Sequence, residues 1–104
     1  MTPDDFRRLA LSQPKAVEVY RRGHSEFHVL RRWFASLEGP ADSVATVHLT
    51  SEQQAMFMHA APKIFAPVSG SRGRLGATNV VLVYADEAIV ESALAVAWRN
   101  IVPT

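Results

Sequence analysis

The spacing of apolar positions changes character several times along the chain. From Pro3 it is helical: Phe6, Leu9 and Ala10 recur at i, i+3 and i+4. Thr2 suits the N-cap, Pro3 the first helical position, and Asp4 and Asp5 the positive end of the helix dipole. Pro14 ends the segment, because it lacks an N–H and biases its predecessor away from helix. A period of two then takes over. "AVEVY", "EFHVL", "WFASL" and "VATVHL" each alternate or cluster as strands do, with turns at Gly23, at Arg31-Arg32 and through "EGPADS". The Arg31-Arg32 join reads as a tight hairpin without the usual Asn-Gly or Asp-Gly signal.

Helical spacing returns at "TSEQQAMFMHA", where Thr50 and Gln53 form a capping box. "APKIFAPVSG" reads as a proline-bounded connection that tucks Ile64 and Phe65 into the core. "TNVVLVYA" is the most strand-like run and predicts a central strand. Asp86 caps a last helix whose stripe is Val90, Leu94, Ala97, Trp98 and Ile101, so Trp98 is expected to be core. The order is helix, four strands, helix, strand, helix. Short turns between consecutive strands imply an antiparallel sheet, and the helices need one of its faces to bury their stripes. The expected class is α+β, in one domain over residues 1–104.

Composition narrows the classes. With 104 residues and 48% hydrophobic content, one core can form. No apolar run approaches the ~18 residues of a bilayer span, and the N-terminal segment lacks a signal-peptide core. The cytoplasm is the expected location. The absence of cysteine excludes disulfides, thiolate metal sites and cysteine nucleophiles. Net charge is only +1, yet nine of the eleven basic residues are arginines, several in pairs: Arg7-Arg8, Arg21-Arg22 and Arg31-Arg32. Many acidic residues (Asp4, Asp5, Glu52, Asp86 and Glu87) lie near helix starts, so a local basic face can survive a neutral total.

Candidate chemistry is sparse. "VSGSRGRLGAT" spaces Gly70, Gly73 and Gly76 by three, with Arg72 and Arg74 between them. A dinucleotide fingerprint needs its glycines after a strand and before a helix; these precede a strand. A P-loop needs Gly-Lys followed by Ser or Thr, which is absent. Two readings remain: a turn using the glycines' conformational freedom, or a contact loop whose arginines meet phosphates. Arg31 and Arg32 at the hairpin tip have a matching pair of readings, phosphate contacts or a charged turn that blunts a sheet edge. His24, His28, His48 and His59 lack metal-ligand spacing, and no carboxylate pattern completes a site around His24 and His28, so no metal is expected. His48 lies opposite Val47 and Leu49 on its strand and is expected to be exposed on the open sheet. No nucleophile elbow or paired carboxylates are present, so no catalytic residues are assigned and no enzyme activity or cofactor is expected.

In order and spacing, "MTPDDFRRLALSQP", "EFHVLRRWFASL", "LTSEQQA", "PVSGSRGRLGATNVVL" and "ALAVAWRNI" resemble the MmcQ/YjbR family of small bacterial proteins. The resemblance covers nearly the whole chain. It implies a CyaY-like, double-wing fold and a DNA-binding role. The chain departs from the family in two places: Ala77 stands where the family usually has tryptophan after the last loop glycine, and Gln13-Pro14-Lys15 replaces Leu-Pro-Gly.

Two functions follow as expectations. The first is a DNA-binding protein with weak, mainly phosphate contacts through Arg31, Arg32, Arg72 and Arg74, helped by His48 and the loop glycines. The second is a non-enzymatic module that binds a protein or small ligand on the open sheet face through His28, His48 and aromatic residues. The paired arginines favour the first and the near-neutral charge the second. No membrane partner is expected, and a monomer is favoured.

Overall fold

A computed structural model describes residues 1–103. The elements are α1 (Pro3–Leu11), β1 (Val17–Arg21), β2 (His24–Val29), β3 (Arg32–Glu38), β4 (Val44–His48), α2 (Ser51–Ala60), β5 (Phe65–Pro67), α3 (Ser71–Arg74), β6 (Ala77–Val80) and α4 (Glu87–Arg99), with single 3-10 turns at Pro40–Asp42 and Leu82–Tyr84. The six strands form one antiparallel sheet in the order β1-β2-β3-β4-β6-β5. The fold is α+β, as the change of apolar period predicts. No helix among the described residues is long and apolar enough to cross a membrane.

Helix starts form where the sequence places caps. Thr2 accepts from the Asp5 N–H and Asp5 reciprocates. Thr50 and Gln53 do the same for α2, and Asp86 accepts from the Ile89 N–H at α4. Each cap satisfies amides that the first helical turn leaves without partners.

The strand period sorts side chains between two faces. Phe27, Ala35, Leu37, Ala45, Val47, Phe65 and Val80 point to the helical layer and are almost fully buried. They pack against Phe6, Leu9, Val90, Ala93, Leu94 and Ala97 from α1 and α4. A bulge in β3 opposite Phe27 and His28 shifts the register by one, so that Phe34 and Ala35 are both buried. Trp98 departs from expectation. It is only half-buried at the rim of the core, and its indole N–H donates to the Pro14 carbonyl at 2.9 Å.

Three stretches differ from the sequence reading. "TNVVLVYA" does not continue as a central strand: β6 stops at Val80, the Val81 N–H donates to the Ile64 carbonyl, and the chain closes a 3-10 turn with Val83 and Tyr84 exposed. The proline-bounded connection does bury Ile64 and Phe65, but it also contributes the edge strand β5, where Pro67 is tolerated because its outer side needs no donor. The glycine segment contains a one-turn helix, α3.

Candidate functional site

The sheet face away from α1 and α4 carries side chains of opposite polarity to the core. His24, Glu26 and His28 of β2, Trp33 and Ser36 of β3, and Thr46 and His48 of β4 project there by register. His24 and His28 lie at i and i+4 on one strand, and the carboxylate missing from the sequence reading is Glu26 between them. Its oxygens meet His24 Nε2 at 2.9 Å and His28 Nε2 at 2.8 Å. Burial pushes the Glu26 carboxyl up, but the hydrogen bonds from His28 and His24 outweigh it and hold the group below the ordinary carboxylate value. Both imidazoles spend Nε2 on Glu26, and no group of three or more His, Cys, Asp or Glu among the described residues could hold a metal ion.

Trp33 occupies the middle of this face. Its indole N–H donates to the Ala35 carbonyl at 2.7 Å, and its ring lies 6.3 Å from His24 and 4.8 Å from His48, centroid to centroid. The Arg72 guanidinium sits over the indole, 5.5 Å from its centroid, a cation–π arrangement. Arg72 comes from α3, so this contact joins the glycine segment to the strand that begins with Arg32.

α3 is held in place by close backbone approach. A Cβ on Gly73 would lie 1.7 Å from the Val68 carbonyl oxygen, and one on Gly76 would lie 1.9 Å from the Leu49 carbonyl oxygen. Only glycine fits at either position. Gln54 of α2 secures the same segment: its amide nitrogen is within 3.1 Å of the carbonyls of Gly73 and Ala77 and of the Thr78 hydroxyl. Gly70 precedes α3 as its N-cap.

His48 is not the exposed residue the strand alternation suggests. It is half-buried, because Trp33 packs against its ring and α3 closes over the end of β4. Nδ1 lies 3.2 Å from the Trp33 carbonyl oxygen, which can only accept, so Nδ1 carries the hydrogen. Nε2 is then an acceptor, and it is sealed from solvent with no partner among the described residues. A buried acceptor without a partner costs about 1–3 kcal/mol. Burial, and then the positive charge of Arg72, hold the His48 pKa below its ordinary 6.5. His48, Leu49, Arg72, Leu75 and Ala77 line an open recess of about 210 Å³. Ala77 presents only a methyl to this recess.

The arginines fall into two groups. On the helical layer, Arg7 bridges Asp4 at 2.6 Å, Glu18 at 3.2 Å and Asp42 at 2.8 Å, and Arg8 pairs with Glu87. Arg31, Arg32, Arg72 and Arg74 are all exposed, and none takes part in an ion pair among the described residues. Arg31 sits with Leu30 in the two-residue hairpin turn, both at positive φ (63° and 51°). Trp33 and the Glu26 cluster were not legible as a site; the i, i+2, i+4 spacing of His24, Glu26 and His28 is the signal that identifies the cluster.

No protein-family model and no curated protein matches the sequence. The fold is similar to the crystal structure of Deinococcus radiodurans protein DR2400, described as a DUF419 domain, with a TM-score of 0.75 and 15% identity over 99% of this chain and 80% of that one.

Proposed function

We propose that the chain is a non-enzymatic DNA-binding protein of the MmcQ/YjbR type that acts in the bacterial cytoplasm and holds duplex DNA weakly, through phosphate contacts from Arg31, Arg32, Arg72 and Arg74. The observation that carries this reading is the division of the arginines. Acidic groups engage Arg7 and Arg8 across the helical layer, whereas the hairpin and α3 arginines are exposed and have no carboxylate partner among the described residues. The contact of Arg72 with Trp33 puts α3 beside β3, the strand that begins with Arg32 and follows Arg31. Phosphate contacts position a protein on DNA without reading its sequence, so discrimination among sequences is expected to be small. With a net charge of +1, long-range attraction is weak and affinity depends on these local contacts. Titration of a labelled duplex with the wild type and with the Arg72→Ala/Arg74→Ala variant tests the reading: the variant should bind every sequence more weakly by a similar factor.

A second reading, a module that binds a protein or small ligand on the open face, is favoured by one observation. The recess brings an imidazole, His48, and a cation, Arg72, together with apolar walls, the composition of a small-ligand site rather than of a surface that only tracks a backbone.

A further inference from the structure

We propose that the recess between the end of β4 and α3 is a site for a phosphomonoester, which Arg72 holds by charge while the phosphate shares one proton with Nε2 of His48. The inference rests on the DNA reading only for one of its two possible sources of phosphate, a 5′-phosphorylated DNA end; the other is a free nucleotide.

Three observations converge on the recess. Arg72 supplies a guanidinium that no carboxylate among the described residues neutralises, suited to a tetrahedral oxyanion. His48 supplies one nitrogen whose state can change: the Trp33 carbonyl holds hydrogen on Nδ1, leaving Nε2 buried and without a partner. Leu49, Leu75 and Ala77 supply apolar walls for the organic part of an ester. Arg72 and Leu75 are the exposed lining residues, and the proposal requires that they shift when the ligand reaches Nε2.

The proton selects the class of ligand. A phosphomonoester has a second pKa of about 6, close to that of imidazole. Its monoanion can donate P–OH to the neutral Nε2, and its dianion can accept from the protonated ring; the two descriptions contain the same atoms and the same single proton. An internal phosphodiester has no such proton. It must instead charge an imidazole that packs against Trp33 and faces Arg72 from α3 and His28 from β2, opposed by the Glu26 carboxylate of β2. A phosphomonoester on Arg72 also cancels part of the field that disfavours the imidazolium. Binding therefore takes up a proton above neutrality, and affinity should fall by up to about tenfold per pH unit there.

The experiment has two arms. In the first, imidazole ¹⁵N NMR of the wild-type protein follows His48 during titration with adenosine 5′-monophosphate. The proposal expects the Nε2 resonance to move and the His48 pKa to rise; an unchanged His48 at saturating nucleotide overturns it. In the second, blunt duplexes with 5′-phosphate or 5′-hydroxyl ends are titrated with wild type and His48→Ala. A preference for the phosphorylated end that His48→Ala abolishes supports the site and assigns it to DNA ends. A His48 response to the nucleotide with no end preference supports the site and assigns it to free nucleotides. Failure of the 5′-hydroxyl duplex to bind at low salt removes the DNA reading alone, and the NMR arm still decides the site. It uses the unmodified protein, so it does not depend on whether His48→Ala folds.

Discussion

His48 and Trp33 are joined in two ways: His48 Nδ1 donates to the Trp33 carbonyl at 3.2 Å, and the two rings pack with centroids 4.8 Å apart. The pair fixes the tautomer of a half-buried imidazole and leaves its other nitrogen without a partner. With the folded pKa held below 6.5, the unfolded chain takes up a proton at His48 more readily than the folded one. The stability that a neutral His48 contributes is fully present above about pH 6.5 and declines as pH falls from there to the folded pKa, below which the dependence is flat. Urea unfolding at about pH 5 and about pH 7 should show this loss in the wild type. His48→Asn, which keeps a donor toward Trp33, should reduce it. An equal loss in both proteins contradicts the assignment.

The β2–β3 turn places two side chains, Leu30 and Arg31, in the left-handed region at φ 51° and 63°. Such a turn favours Asn-Gly, and each non-glycine residue there is strained. Leu30→Asn/Arg31→Gly should raise stability by roughly 1–3 kcal/mol, read as a higher denaturant midpoint. The same variant should bind duplex DNA more weakly, because Arg31 is one of the four proposed phosphate contacts. Gain of stability with unchanged DNA affinity would remove Arg31 from the interface.

Gln54 is buried, and its amide meets the carbonyls of Gly73 and Ala77 and the Thr78 hydroxyl. Gln54→Leu leaves buried acceptors without a donor, so about 1–3 kcal/mol of stability should be lost. The loss should be local: hydrogen exchange at the amides of 71–76 should accelerate more than exchange in β2 and β3. Uniform acceleration would show that Gln54 does not specifically hold α3.

Ala77 lines the recess beside His48. Ala77→Trp should fill it and abolish the response of His48 to adenosine 5′-monophosphate, with the thermal midpoint unchanged or raised. An NMR response as large as that of the wild type would show that the nucleotide binds elsewhere.

Caps and strand alternation made most of the architecture legible. Thr2, Thr50 and Asp86 each start the helix the sequence assigns to them, because capping is a local interaction between residues three apart. β1 to β4 follow from period-two patterning joined by short turns. The end of β6 was hidden because "VVLV" is an unbroken apolar run, and nothing local says that the chain leaves the sheet at Val81 to meet Ile64. α3 was hidden because glycine disfavours helix; its turn exists through close approach to Val68 and Leu49, which are distant in sequence or absent from any periodic pattern. The arginines of the proposed interface could be named from sequence, but their freedom from carboxylates could not, since Arg7 finds Asp42 and Glu18 only through the tertiary fold. His48 was misplaced as exposed for a related reason: alternation gives its face, while the covering by Trp33 and α3 depends on how the loops fold back.

The central claim is that four exposed arginines make the contact with DNA, and the salt dependence of binding tests it most directly. If Arg31, Arg32, Arg72 and Arg74 each neutralise one phosphate, log K against log salt should fall with a slope of about −3.6, from ~0.9 per phosphate. Arg72→Ala/Arg74→Ala should reduce that slope to about −1.8 and weaken binding to unrelated duplexes alike. Absence of saturable binding at low salt, or a slope that the double variant leaves unchanged, would contradict the account.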